Sequence, residues 1–372
     1  MVQGVGTCSA RLPGGLGRIL RVAAAGEAPM RDQAIGFLSH GDSRVAYAVT
    51  GSGPLLLLDL ALAHHLEAFW RYPGYRHLVQ RLARRFTVVR WDRPGFGLSD
   101  RHTVDLSPEG ELALVERLVD VLAADEVAIV AAGAAAPNLL RLAARHPDRV
   151  SRLALFGTAA AGRHLVPRLS AGALHALAGV PAPAIHEVAA AAAAAGSEPE
   201  VGAWLASALE ASAGVATMVE LLARTAEADA TEDAGRVAAP VLVLHRAGDP
   251  VVEPGWGRAL AARIPNATFH LLEGASHLPY AGDPEPLLTA LHSFLVGEDD
   301  EPARLSRREL EVAQLVTLGL TNAEIGRRLA IRRRTVDSHL EHIRSKLGVT
   351  SRARIAAWVV RDQLASSAQD GA

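Results

Sequence analysis

Three consecutive arginines, Arg332-Arg333-Arg334, stand directly before an apolar-periodic stretch, Thr335–Lys346. A guanidinium forks onto phosphate and onto the O6/N7 edge of guanine, so arginines at the head of a helix point to nucleic-acid chemistry. The charge distribution agrees. Between Pro302 and Leu364 there are 13 Arg/Lys against 6 Asp/Glu, in a chain of 372 residues whose net charge is −2. One end is therefore basic and the remainder acidic, as expected of a polyanion-facing terminus. Elsewhere His64 and His65 are adjacent, so their side chains diverge, and the other ligands of a metal site are missing. Cys8 is the only cysteine, which excludes a disulfide framework and a cysteine-based zinc site. No metal and no cofactor is expected.

The elements that must position these residues follow from the apolar pattern. Residues 1–30 are rich in Gly, Ala and Arg without a steady period, as expected of disorder or of a misassigned start, Met30 then being the true one. Strands are predicted at Ala34–Leu38, Val45–Val49, Leu55–Leu58, Thr87–Trp91, Val127–Val130, Leu153–Phe156, Val241–Leu244 and Thr268–Leu272. Helices are predicted at Tyr75–Arg84, at Ser107–Ala123 with Ser107 as N-cap, and at Leu139–Arg145. Short apolar strands alternating with helices imply a mainly parallel sheet covered on both faces. About residues 162–237 carry no strand signal and read as an Ala-rich helical lid, with Pro181 and Pro183 as breaks. No apolar run is long enough to span a membrane and no signal peptide stands out, so a cytoplasmic protein is expected.

An acidic linker, 298–304, leads to four short helices over 305–364, and residues 365–372 form a disordered tail. Ser306 with Glu309, and Thr321 with Glu324, have the spacing of capping boxes. Leu310, Ala313, Val316 and Leu320 are the predicted core of the first helix, Ile325 and Leu329 of the second, and Val336, Leu340, Ile343 and Leu347 of the third. Gly348 follows as a stop, and Ser351 caps a fourth helix holding Ile355, Trp358 and Val359. A short helix, the turn Ala330–Arg334 and a reading helix, Thr335–Lys346, are what a helix-turn-helix requires.

The motifs Leu305–Val312, Gly319–Ile325, Thr335–His339 and Ile343–Val349 closely resemble the LuxR-type DNA-binding domain over about residues 303–362. The resemblance implies that Thr335, Val336, Asp337, His339, Arg344 and Lys346 lie on or beside the DNA face, and Arg332, Arg333 and Arg334 in the turn are expected to bind DNA through their charge. It places Asn322 near phosphate and gives dimerisation to the last helix. Arg332 stands where that family often has a capping serine, so the reading helix is expected to begin less firmly.

Within a predicted domain over 31–297, residues from about 34 to 297 resemble α/β-hydrolases through Val45–Pro54, Trp91–Asp100, Ala143–Val150, Gly248-Asp249 and Gly274–Pro279. In that fold a serine sits on a strained strand-to-helix turn, G-x-S-x-G. The corresponding stretch here is Ala131-Ala132-Gly133-Ala134-Ala135, and no Ser, Thr or Cys occurs between Val127 and Val150. Gly133 thus occupies the nucleophile position without a nucleophile. Ala131 and Ala135 replace the outer glycines, so a relaxed turn is expected. The oxyanion-hole loop carries Leu60 and Ala61, and nothing in the sequence pre-positions its donors. Asp249 and His277 keep the other two triad positions. A single glycine at the Gly133 turn excludes a dinucleotide-binding loop. Asp92, Arg93 and Ser99 read as turn-holding residues.

Together these features imply an α/β-hydrolase sheet with a helical lid, followed by a small all-α helix-turn-helix domain. The expected protein is a homodimeric DNA-binding regulator with a non-hydrolytic unit that senses a partly apolar small molecule. Its pocket candidates are Leu60, Ala61, His64, Ala134 and His277. Two alternatives stand beside it: base-only catalysis by Asp249 and His277, and a large domain that serves only for dimerisation.

Overall fold

Runs of Leu, Val, Ile and Ala become strands because helices cover both faces of the sheet and bury them there. A computed structural model describes residues 33–101, 105–122, 124–166, 182–296, 307–329, 331–347 and positions 352, 355, 356 and 359. The eight strands form one sheet in the order β1-β2-β4-β3-β5-β6-β7-β8. They are β1 (Ala34–His40), β2 (Ser43–Thr50), β3 (Leu55–Asp59), β4 (Thr87–Trp91), β5 (Val127–Ala132), β6 (Val150–Phe156), β7 (Val241–Arg246) and β8 (Ala267–Leu272). β1–β2 and β2–β4 pair antiparallel, and every other neighbouring pair is parallel. All the predicted strands are present, most lengthened by one to three residues.

The helices beside this sheet are α1 (Leu66–Trp70), α2 (Pro73–Ala83), α3 (Pro108–Val121) and α4 (Ala136–Arg145). Those of the insertion are α5 (Ala182–Ala193), α6 (Pro199–Ser212), α7 (Val215–Glu227) and α8 (Thr231–Ala234), and α9 (Pro254–Ala261) and α10 (Glu285–Val296) complete the unit. The Ser107 hydroxyl accepts the Gly110 amide at 3.0 Å and caps α3 as expected. The described part of the insertion is helical, apart from a single bridge between Ala161 and Asp229. Pro183 does not break a helix. It lies in the first turn of α5, where a missing amide costs little. The main core gathers β-strand residues such as Leu57, Val89, Ile129, Leu153 and Val243 with Leu112, Leu118 and Leu139 from α3 and α4.

The chain divides at Leu295/Val296, and residues from Val296 onward form a second unit. It contains α11 (Arg307–Thr317), α12 (Asn322–Arg328) and α13 (Arg333–Leu347). Its core is Val312, Ala313, Val316, Ile325, Val336, Leu340, Ile343, Ile355 and Val359, with Leu320 and Leu329 packed against it. Leu310 is only half-buried. The register of α11 turns Val312 inward instead. The expectations for residues 1–30, Cys8, the 298–304 linker, Ser306, Gly348, Ser351, Trp358 and the 365–372 tail lie outside the described residues.

Candidate functional site

At the end of β5 the chain turns through a short 3-10 segment, Gly133–Ala135, into α4. Gly133 has φ +52°, a left-handed conformation that glycine adopts at little cost. The turn is therefore not relaxed, contrary to the expectation from Ala131 and Ala135. Both alanines are fully buried, so their methyl groups are absorbed by packing. The Thr158 hydroxyl also donates to the Gly133 carbonyl at 2.7 Å and fixes the turn from β6.

His277 stands over this turn. Its Nε2 lies 3.2 Å from the point a Cβ on Gly133 would occupy. Its Nδ1 lies 2.8 Å from Asp249 Oδ2, and the side chain is 13% exposed. The other carboxylate oxygen of Asp249 accepts the amides of Val251 and Val252 at 2.9 and 3.1 Å. A buried partner, His245, escaped the sequence reading. Its Nε2 lies 2.8 Å from the Val252 carbonyl and 3.3 Å from Asp249 Oδ2. The signal for it was its place in β7, four residues before Asp249.

Burial alone would raise the Asp249 carboxyl. Hydrogen bonds from His245 and His277, the charge of His277 and the Val251 amide outweigh it and hold the group well below the usual carboxylate range. A carboxyl depressed on folding stabilises the protein above its unfolded value and loses that contribution as pH falls toward the folded one. The urea midpoint is therefore expected to fall below about pH 4 more steeply in the wild type than in Asp249→Asn. Equal slopes would show that these bonds do not hold the carboxyl down.

The loop after β3 is anchored by Arg93. Its guanidinium donates to Asp59 and Glu111 at 2.6 Å each. It also donates to the carbonyls of Ala61 and Leu62 at 3.2 and 3.0 Å. The loop that would carry an oxyanion-hole amide is thus positioned after all, by an arginine distant in sequence. Asp92 accepts the amides of Leu66 and Leu98 at 3.0 and 2.9 Å, and Ser99 bonds the Asp92 carbonyl and the Ala46 amide. These are the turn-holding roles expected of them.

His64 does not line a pocket mouth. It is buried, with Nδ1 2.8 Å from Asp92 and Nε2 2.9 Å from the Tyr75 hydroxyl, so both ring nitrogens are engaged within the fold. Burial pushes Tyr75 up to about 12, which keeps its hydroxyl protonated. Leu60 is buried, whereas Ala61 and Ala134 are half-buried. Ala134 and Val251 each pack against the buried cluster of Ala159, Leu165 and Val252, an apolar wall beside the turn.

The segment bearing His277 is clamped from both sides. Arg246 donates to the carbonyls of Ser276 and Leu278 at 2.8 and 3.0 Å. From the lid, Ser197 Oγ meets Ser276 Oγ at 2.6 Å. Gly196, at φ +78°, approaches so closely that a Cβ would lie 2.4 Å from the Ala275 carbonyl oxygen. Among the described residues, no group of three or more His, Cys, Asp or Glu side chains is placed to hold a metal ion. Nor is any single helix among them long and apolar enough to cross a membrane.

In the second unit, Thr321 and Glu324 form the expected capping box of α12. The reading helix starts earlier than predicted. Arg333 and Arg334 are its first residues, and the amides of Thr335 and Val336 bond the Arg332 carbonyl at 2.9 and 3.3 Å. The absence of a capping serine at Arg332 does not prevent this first turn from closing. Arg332, Arg333, Arg334, Thr335 and Asp337 are exposed and His339 is half-buried. Val336 is fully buried in the core and cannot reach a base edge. Asn322 is engaged internally. Its amide nitrogen donates to Asp337 at 2.6 Å, and its oxygen accepts Arg352 at 2.7 Å, so it orients the reading helix rather than standing free for phosphate. Arg352, unremarked in the sequence reading, also donates to the Leu320 carbonyl. Arg344 and Lys346 lie on the backbone of α13, and their side chains lie outside the described residues. So does most of the expected dimerisation helix.

Comparison with known proteins bears on both units. The family described as serine aminopeptidase, S33, matches residues 69–285, and that described as bacterial regulatory proteins, luxR family, matches residues 303–359. The pyrrolizixenacetamide deacetylase of Xenorhabdus hominickii is 26% identical over 279 residues, covering 70% of this chain and 97% of that protein. The transcriptional regulatory protein LiaR of Bacillus subtilis is 36% identical over 121 residues, covering 31% of this chain. The chain spans 56% of LiaR and 8% of a putative HTH-type transcriptional regulator of Mycobacterium bovis that it also matches. A crystal structure of a hydrolase from Pseudomonas aeruginosa superposes with a TM-score of 0.61 at 23% identity, covering 71% of this chain and 98% of that one. At that identity the likeness concerns the fold.

Proposed function

Because the chain belongs to the serine aminopeptidase S33 family of α/β-hydrolases and carries a luxR-family domain, we propose that it is a DNA-binding transcriptional regulator. In this reading the hydrolase-like unit binds a small molecule without hydrolysing it. The observation that carries the reading is Gly133. The turn, the base and the orienting acid of a hydrolase stand in register around a residue that has no side chain to attack with. The apolar wall of Ala134, Ala159, Leu165 and Val252 favours a partly apolar ligand. Binding would shift the balance between DNA-competent and incompetent states through its different affinity for the two. Arg333, Arg334 and Thr335, on the exposed first turn of α13, face the major groove, and Arg332 precedes them. The protein binds DNA as a homodimer.

The test is DNA binding to the region upstream of its own gene, measured for the full chain by fluorescence anisotropy at several salt concentrations. Binding should weaken steeply with salt, because phosphate contacts release counterions. Arg333→Ala and Arg334→Ala should each weaken it, and removing one phosphate-binding side chain should lower the salt slope by about 1. Salt-independent binding, or none, would remove the regulator reading.

A second reading has its own support. His277 keeps an oriented, partly exposed ring beside a carboxylate held ionised, which is a competent general base. Turnover of a bound compound that disappears in His277→Ala would favour that reading. Binding without turnover would favour the sensor.

A further inference from the structure

The hydrogen bonding of His277 decides what can sit beside it. Asp249 is ionised and can only accept, so the hydrogen on the His277 ring stands on Nδ1, facing Oδ2 at 2.8 Å. In the neutral ring, Nε2 then presents a lone pair. Among the described residues no group donates to it. Nε2 is directed at the space above Gly133, where a Cβ would meet only two described atoms within 4 Å, Nε2 at 3.2 Å and Cε1 at 3.8 Å. Gly157, just beyond the end of β6, has φ +56°, and a Cβ there would press on the same ring at 3.3 Å. Two glycines thus let the backbone pass close to one imidazole without a side chain of their own against it, and Ala134 beside the turn packs on an apolar cluster.

We propose that this space receives the hydroxyl of an otherwise apolar alcohol, which donates its hydrogen to His277 Nε2. The inference rests on the sensing reading and names the chemistry of its ligand. The hydroxyl would take the place that the serine hydroxymethyl group holds in a hydrolase, but as part of the guest. An ether or ester of the same shape has no hydrogen to give and would set lone pair against lone pair. A carboxylate would require the imidazole to be protonated. Water satisfies the hydrogen bond but buries no apolar surface. Each added methylene of an alcohol should raise affinity about fourfold until the apolar wall is covered.

The experiment uses the full chain at pH 7.5 with 1-butanol and 1-hexanol, and with pentyl methyl ether, which matches hexanol in heavy-atom count. Affinities are read by calorimetry or ligand-observed NMR. Hexanol should bind at least about fivefold more tightly than the ether, the discrimination expected of an acceptor left unpaired. His277→Phe should abolish that ratio, its folding checked by circular dichroism. Gly133→Ala, which places a methyl group 3.2 Å from Nε2, should weaken the alcohols. Equal affinity of alcohol and ether in the wild type would overturn the proposal even if neither variant folds, and so would a preference that survives in His277→Phe.

DNA affinity measured with and without hexanol separates this inference from the reading beneath it. An alcohol preference with unchanged DNA affinity sustains the site and sinks the sensing role. Altered DNA affinity with equal binding of alcohol and ether sinks the site and leaves sensing in place.

Discussion

Gly133→Ser is expected to make the large unit covalently reactive. A serine at this position would inherit a backbone already at φ +52° and a base whose Nε2 is 3.2 Å from its Cβ. Its hydroxyl would then lie within reach of a ring oriented by Asp249 at 2.8 Å. The left-handed conformation costs a serine about 1–3 kcal/mol, a strain that a surrounding fold can hold when it over-determines the turn. Here the Thr158 bond to the Gly133 carbonyl and the buried Ala131 and Ala135 do so. The short approach to Nε2 requires the ring to give by a few tenths of an ångström, and its partial exposure allows that. The start of α4 and the loop pinned by Arg93 are the elements whose backbone amides would have to meet a developing oxyanion.

A fluorophosphonate probe should therefore label Gly133→Ser at one site and leave the wild type unlabelled. Hydrolysis of p-nitrophenyl butyrate should rise by about 10²–10³-fold, well short of an evolved hydrolase. Adding His277→Ala should return both readouts to baseline. A folded Gly133→Ser protein that neither labels nor hydrolyses would show that the triad geometry is only apparent. Labelling of the wild type would reveal a nucleophile elsewhere.

The second large effect concerns stability. Arg93 is buried between Asp59 and Glu111 at 2.6 Å each, and Asn138 also bonds Glu111. Burial disfavours its charge, but the two carboxylates outweigh this and raise its affinity for the proton further. Arg93→Met would leave two buried carboxylates near each other without the cation that balances them. Breaking such a buried network by removing one partner costs about 3–5 kcal/mol. The urea midpoint should drop accordingly, and Asp59→Asn with Glu111→Gln in the same background should recover much of it. A loss below about 1 kcal/mol would mean that the network is well solvated. Because Arg93 also holds the Ala61 and Leu62 carbonyls, the variant should in addition loosen the loop after β3, read as faster amide exchange there.

The strands were legible in the sequence because a parallel strand buried on both faces is a continuous apolar run. Thr87–Trp91 was read to the residue for that reason. The Asp249–His277 pairing and the missing nucleophile were legible through motif order. What escaped was set by tertiary packing. The Gly133 turn holds its left-handed form because a threonine just beyond β6, Thr158, anchors it. Whether His64 faced a pocket or the core depended on Asp92 and Tyr75, 28 and 11 residues away. Short helices such as α1 have too few residues to show a period. Asn322 looked like a phosphate ligand because local sequence does not disclose Arg352 and Asp337 closing on its amide.

The left-handed glycine beneath His277 also has a genetic meaning. Two of the four glycine codons, GGU and GGC, become serine codons by a single base change in the first position. The fold on either side of that base is the same: the turn, the acid, the base and the anchored loop all stand. On the sensing reading, one base change at such a codon would turn a receptor that keeps its ligand into a candidate enzyme without rebuilding any element. A population screened for gain of esterase activity should find that crossing at the codon for residue 133 before anywhere else.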